Sequence, residues 1–334
     1  MSSGQNIIIS GTGFGATGPT VVLFDDFETG SDGAAITTVP QSTVGSWQGV
    51  TPADPYSNYS STHRRSGNLS FHQDWSDYEG SRWLNADLNG TTAAYVSFWL
   101  YLPIGSDIPG TNSAGANWKV FSLGYADLNT DYTPTFLSNT LPMPTAGAGT
   151  WGIQTWHDGT GRICDTSEEF AAPTAFENGV WTRYEAYITA NATNGVVQLW
   201  ETNENQARTQ TQFVTGNTVN TGEDTWNYAH FPAFGRNDEG SDTYYDDIYI
   251  ATGTGARARV EIGNASTYAA CTNLAVCTPT SWGASSITAT VRTGSFTTGT
   301  AYLYVTDSDG ATNSTGYEIT LSIVTRKIGG NPPR

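Results

Sequence analysis

The sequence predicts an all-β protein of many short strands, and three observations carry that expectation. In segment after segment alternate residues fall into an aliphatic set and an aromatic-plus-polar set, as in AYVSFWLYLP, WTRYEAYITA, GVVQLWET and YYDDIYIAT. Glycine (37 residues) and aromatics (12%) are abundant while only 13% of residues are charged, a composition suited to frequent turns and paired strands. No convincing helix is present: DTSEEFAAPTAFENG (165–179) is the best candidate, and Pro173 limits it to a turn or two. At 334 residues the chain suits two domains and can bury a core.

The elements follow in chain order. NIIIS opens as a strand, and GTGFG (11–15) is a turn; a phosphate-binding glycine loop needs a following helix and a βαβ unit, and neither is there. VVLFDDFETG then starts a second strand. In AYVSFWLYLP, Val96, Phe98, Leu100 and Leu102 share one face and Tyr95, Ser97, Trp99 and Tyr101 the other. In WTRYEAYITA, Tyr184, Ala186 and Ile188 oppose Trp181, Arg183, Glu185 and Tyr187. Val197 and Leu199 oppose Gln198 and Trp200; Ile248 and Ile250 oppose Tyr245, Asp247 and Tyr249. Each strand thus has an aliphatic face for a sandwich core and an aromatic–polar face for an outer surface. After residue 256, RARVEIGN, SITATV, TAYLYVTDSDG and GYEITLSIV read as four more strands, with DSDG (307–310) a hairpin turn. That segment is one strand short of a small sandwich, and residues 1–20 would supply it.

Two resemblances sharpen this picture. ISGTGFG, followed much later by ARVEIGN and SWGASSITATV, resembles the IPT/TIG-type immunoglobulin-like domain. The middle, with FDDFE, GVWTRYEAYI and FPAFGRND…TYYDDIYI, resembles a concanavalin A-like jelly roll of the LamG and polysaccharide-lyase kind. Together they imply a jelly-roll β-sandwich inserted into a smaller Ig-like β-sandwich. The expected division is 1–20 for the first Ig-like strand, 21–255 for the jelly roll, 256–325 for the rest of the Ig-like domain and 326–334 for a basic tail. Adjacent chain ends make such an insertion easy to accommodate.

A net charge of −17 and a pI near 4.4 argue against nucleic acid and anionic membranes as partners. Lysine occurs only at Lys119 and Lys327, and Arg326, Lys327 and Arg334 concentrate positive charge in RKIGGNPPR, either a disordered end or an arm that docks on an acidic neighbour. Three cysteines, Cys164, Cys271 and Cys277, argue against a disulfide framework; Cys271 and Cys277 are either bridged or both free. NIIIS is too short for a signal peptide and no stretch approaches 18 apolar residues. The expected location is a virion surface or an extracellular one reached by another route, such as lysis.

The candidate sites are of three kinds. Asp25, Asp26 and Glu28 converge with Asp246 and Asp247 if the end strands pair; hard oxygen ligands suit calcium, and the jelly-roll resemblance permits a structural calcium, the plainer alternative being strand-end caps. A lyase needs a base, an acid and a neutraliser of the uronate, and Gln154, His157, Arg82 and Tyr245 are the candidates. In alginate-lyase-like jelly rolls the Gln and His stand two apart; here they stand three apart, on opposite faces of a regular strand. The glycosidase pattern Glu-x-Asp-x-x-Glu is absent, and His63, His72 and His230 have no clear partner. A glycan-binding surface would use Tyr95, Trp99, Tyr101, Trp156, Arg183, Glu185, Gln198 and Trp200 from the aromatic–polar faces. The same residues suit a second core layer or a subunit interface, and the sequence leaves both open.

The expected function is therefore non-catalytic: a surface-displayed structural or adhesive protein, a phage virion decoration or fibre component that touches glycan through its jelly roll. Its partners would be other virion or surface proteins, copies of itself and polysaccharide. The alternatives are a polysaccharide lyase and a bacterial extracellular adhesin module.

Overall fold

The computed structural model describes residues 1–36, 42–51, 57–75, 83–105, 119–124, 135–138, 150–151, 153–154, 174–175, 177–219, 224–232 and 242–322. Its strands run in chain order as follows. The N-terminal part holds β1 (Asn6–Ser10), β2 (Thr20–Asp25), β3 (Gly49–Thr51), β4 (Ser57–Ser60), β5 (Ser70–Asp74), β6 (Trp83–Thr91) and β7 (Ala93–Tyr101). Next come β8 (Lys119–Gly124), β9 (Thr135–Ser138), β10 (Thr150–Trp151), β11 (Ile153–Gln154), β12 (Thr174–Ala175), β13 (Thr182–Thr189), β14 (Gly195–Asn203), β15 (Gln206–Gly216), β16 (Trp226–Phe231) and β17 (Asp242–Thr252). The last part holds β18 (Arg259–Gly263), β19 (Leu274–Trp282), β20 (Ser286–Thr290), β21 (Gly299–Thr306) and β22 (Tyr317–Leu321), with a short 3₁₀ turn at Tyr268–Ala270. The fold is all-β, and its strand pairings are antiparallel. Of the helix candidate at 165–179, Thr174–Ala175 is the strand β12, and residues 165–173 lie outside the described residues. No helix among the described residues is long and apolar enough to cross a membrane.

Two sheets face each other around the main core. One runs β15-β14-β13-β7-β17-β5-β4, with β2 added beside β17; the other runs β11-β9-β8-β16-β6-β3. The aliphatic faces read from the alternation point inward: Val96, Phe98 and Leu100, Tyr184 and Ile188, Val197 and Leu199 meet Leu84, Ala86, Phe121, Leu123 and Phe231 from the opposite sheet. Each of the Val, Leu, Ile and Phe side chains among these, fully buried, contributes roughly 1.5–3 kcal/mol.

The remaining strands form a sheet ordered β1-β20-β19-β18-β21-β22. The first strand of the chain pairs with β20, Ile7 opposite Ala289 and Ile9 opposite Ile287. A separate core of Ile7, Val260, Ile262, Ile287, Val291, Leu303, Ile319 and Leu321 fills this unit. GTGFG is a turn, with Gly13 and Gly15 at φ of 84° and 75°, and the DSDG turn leads from β21 toward its partner β22. Strand β19 is absent from the sequence expectation because Pro279 interrupts it; the proline sits at a register shift against β20, where a missing N–H does no harm. Cys271 and Cys277 are free and buried; Cys164 lies outside the described residues.

One strand breaks its expected phase. In β17, Asp247 adopts a φ of 47°, and the register against β7 shifts between Asp246 and Tyr249. The shift reverses which face each side chain takes. Tyr245 therefore lies in the core with Ile248 and Ile250, while Tyr249 faces outward into a different cluster.

Candidate functional site

The aromatic–polar face of the larger sheet is mostly covered. Strand β18 and the 3₁₀ turn of the C-terminal unit lie over it, and the charged residues meet in a buried network. Arg183 reaches Glu261 of β18 at 2.7 Å and donates through Nε to Ser97 Oγ at 2.9 Å. Glu185 accepts from Arg208 at 2.7 Å and from the hydroxyl of Tyr95. Arg259 pairs with Glu261 at 2.9 Å and donates to the Tyr268 hydroxyl, which in turn donates to Glu261 at 2.6 Å. Burial works to raise the Glu185 carboxyl, but Arg183, Arg208 and Arg259 together hold it below the usual carboxylate range. Phe24, Tyr249, Ala251, Ala256 and Val276 complete the seam with apolar contact.

This corrects the glycan surface expected there. Tyr95, Arg183 and Glu185 are at most 1% exposed. Trp99 lies under the Arg65 guanidinium, 3.9 Å from its ring centre, and Arg65 also donates to Asn273 of the C-terminal unit at 2.6 Å. Trp200 is buried with Arg208 4.5 Å from its ring. These five residues form an interface within the chain, the alternative the sequence left open. Gln198 and Tyr101 stay half-buried at its margins, and Trp156 lies outside the described residues.

Beyond the covered part, Tyr101 belongs to a pile of rings. His63 stacks on Tyr101 at 4.4 Å and meets Tyr244 edge-on at 4.8 Å, and His72 stacks on Tyr244 at 4.5 Å. His72 also pairs with Asp242 at 2.6 Å. Both histidines thus have partners that the sequence did not reveal, because cross-strand neighbours are set by register.

The five carboxylates considered for calcium are loop anchors. Glu28 accepts from the backbone N–H groups of Asn68 and Leu69 at 2.6 and 2.7 Å. Asp246 accepts from those of Arg65 and Ser66 at 2.8 and 2.9 Å, and Asp247 from the Ser66 hydroxyl. Asp25 accepts from the N–H of Phe27 and from the Trp47 indole at 2.6 Å, and Asp26 from Thr43. Burial raises Asp25 to about 7. Among the described residues no group of three or more acidic, His or Cys side chains is set to hold a metal.

The lyase set also changes. Tyr245 is enclosed by Phe71, Phe98 and Phe231, with ring centres 5.6–6.4 Å apart, so it cannot reach a sugar. Arg82 and His157 lie outside the described residues. Gln154 falls on β11 at the margin of the smaller sheet.

The outer face of that smaller sheet carries a polar row. Leu84, Ala86, Ala229, Phe231, Phe121 and Leu123 point into the core, which turns Asn85, His230 and Ser122 outward. These three are directly opposite one another on β6, β16 and β8. By register, Thr135 of β9 stands opposite Ser122 and Gln154 of β11 opposite Thr135. Asn85, His230 and Ser122 are 2–8% exposed. Burial lowers the His230 imidazole to about 3, so it is neutral at ordinary pH. Asn85 Oδ1 has no hydrogen-bond partner among the described residues, and the Tyr228 ring lies 6.3 Å from that of His230. The alternation Leu84–Asn85–Ala86–Asp87–Leu88 is the sequence signal that marks this face.

No family model and no curated protein matches the chain. Solved structures do. The chain is similar to the alginate lyase Aly36B, with 14% identity, a TM-score of 0.42 and coverage of 71% of this chain and 97% of that one. It is also similar to the cellulose-induced protein Cip1, at 13% identity and a TM-score of 0.40, covering 69% and 97% of the two chains. A third is the lectin UEA-II complexed with galactose, at 10% identity and a TM-score of 0.34, covering 75% and 99%.

Proposed function

We propose that the protein binds glycan without cleaving it, on the outer face of the β11-β9-β8-β16-β6-β3 sheet. The row Asn85–His230–Ser122 carries this reading. Amide, neutral imidazole and hydroxyl groups read sugar hydroxyls by paired donation and acceptance. A nearly buried amide with an open acceptor is costly unless something fills it. The larger sheet is mostly sealed against the C-terminal unit, and the Asn85–His230–Ser122 row, itself largely enclosed, is the polar position that a sugar hydroxyl would have to enter.

The wider reading is a surface-displayed structural or adhesive protein, a phage virion decoration or fibre component. The jelly roll of residues 21–255 would be inserted into an Ig-like sandwich made of 1–20 and 256–325, and the pairing of β1 with β20 supports that division. Affinity electrophoresis in gels containing neutral or acidic polysaccharides tests the binding. Retardation should appear with at least one glycan and weaken about tenfold in Asn85→Ala, the worth of one hydrogen bond to a ligand. Unchanged retardation in Asn85→Ala and His230→Gln contradicts the assigned face.

A second reading, a polysaccharide lyase, is favoured by one observation: the backbone register that aligns position 154 with His230 through Thr135 and Ser122. Unsaturated uronate absorbing in the ultraviolet, released from an acidic polysaccharide and lost in Gln154→Ala, would replace the binding reading.

A further inference from the structure

We infer that the groove between β1 and the β21–β22 hairpin receives the C-terminal segment, residues 323–334, of a second copy of this chain. The groove is about 730 Å³, with Ile7, Ile9 and Phe14 on one side and Leu303, Val305 and Tyr317 on the other. Strands β1 and β22 are the two edges of their sheet; Met1 meets β22 at Thr320 and Ser322, and along the rest of these edges an added strand can bind. Ile8 and Tyr317 are 75% and 73% exposed. Large apolar side chains left this open at a sheet edge mark an interaction surface.

The course of the last described strand points to the occupant. Strand β22 runs toward Met1: the Met1 amino group donates to the Thr320 carbonyl at 2.6 Å, and Ser322 N–H donates to the Met1 carbonyl at 2.8 Å. The groove extends the other way from Met1, to Tyr317, Phe14 and Asp307. To enter its own groove the chain would have to reverse at once. The segment Ile323–Ile328 contains no Gly, Pro, Asn or Asp, and the first glycine is Gly329, so the residues that reverse a chain come too late. A second copy's groove needs no reversal. The chemistry agrees: Ile323, Val324 and Thr325 are strand formers, while Arg326 and Lys327 suit a groove edged by Asp307 on a chain of net charge −17. Such a head-to-tail contact closes into rings or grows into filaments.

The experiment is light scattering coupled to size exclusion on the full chain, over a range of concentrations and at low and high salt. The expected result is concentration-dependent association, weakened about tenfold or more by Ile8→Lys and by the double variant Arg326→Glu/Lys327→Glu. Each variant retains one intact half of the contact, so mixing the two should restore a dimer that neither forms alone. Both substituted sites are exposed or beyond β22, and circular dichroism should show unchanged folding. A chain that stays monomeric throughout, or association that both variants leave unchanged, overturns the inference. Because neither substitution touches the Asn85–His230–Ser122 row, glycan binding and this contact fail independently.

Discussion

Arg183 and Glu185 project from the same face of β13, and what lies above them decides their role. With water above, they would be a solvated pair worth little. With Glu261 and Arg259 above, they are sealed charges whose removal leaves a neighbour unpaired, a loss of about 3–5 kcal/mol in comparable buried pairs. Glu185→Gln is expected to cost that much, measured by urea denaturation; a loss below about 1 kcal/mol would mean that water reaches the network. His230 gives a pH signature. Its imidazole is held near 3, against about 6.5 in an unfolded chain. The stability it confers is complete above pH 6.5 and is lost as pH falls toward 3, on the order of 5 kcal/mol in all. Asp25, raised to about 7, acts in the opposite sense and loses its contribution as pH rises from about 4 to 7. The informative quantity is therefore the difference between wild type and His230→Gln, which should lie flat above pH 6.5 and favour the variant progressively below it. A difference that does not vary with pH would contradict the buried, neutral imidazole.

At the scale of elements, the loop 61–69 ties the ends of several strands together. Glu28, Asp246 and Asp247 hold its backbone and Ser66, His63 wedges between two tyrosines, and Arg65 reaches the C-terminal unit. Glu28→Ala should make this loop cut faster in limited proteolysis, with cleavage mapped by mass spectrometry. Adding calcium should leave the melting temperature unchanged, since the carboxylates already accept protein donors. These elements also show what the sequence made legible. The inward faces of β7, β13 and β14 follow directly from alternation, because burial on one side of a strand enforces a period of two. Tyr245 was misplaced because a single residue at positive φ, Asp247, reverses the phase, and an Asp-Asp pair does not announce a bulge. The aromatic–polar face was ambiguous for a deeper reason. Tyr, Trp and Arg serve ligand sites and interfaces alike, and the partner surface, β18, lies far along the chain. Asn85 lies in a strand whose alternation is plain, but its link to His230 and Ser122 exists only through register.

At the scale of the molecule, two cores share one sealed seam, so the two units should unfold together. Scanning calorimetry is expected to show one transition in wild type and two in Glu185→Ala, where the seam loses its centre; two transitions in wild type would show that the units are independent. A seam of this kind gives the larger sandwich a fixed base and, under the proposed function, leaves recognition to the opposite sheet. The measurement that tests this most directly is affinity electrophoresis of wild type, Asn85→Ala and Tyr101→Ala side by side on a panel of polysaccharides. The proposed function predicts that a glycan retards wild type and Tyr101→Ala equally and Asn85→Ala about tenfold less. Loss of binding in Tyr101→Ala with Asn85→Ala unaffected would place the site on the larger sheet and contradict the assignment.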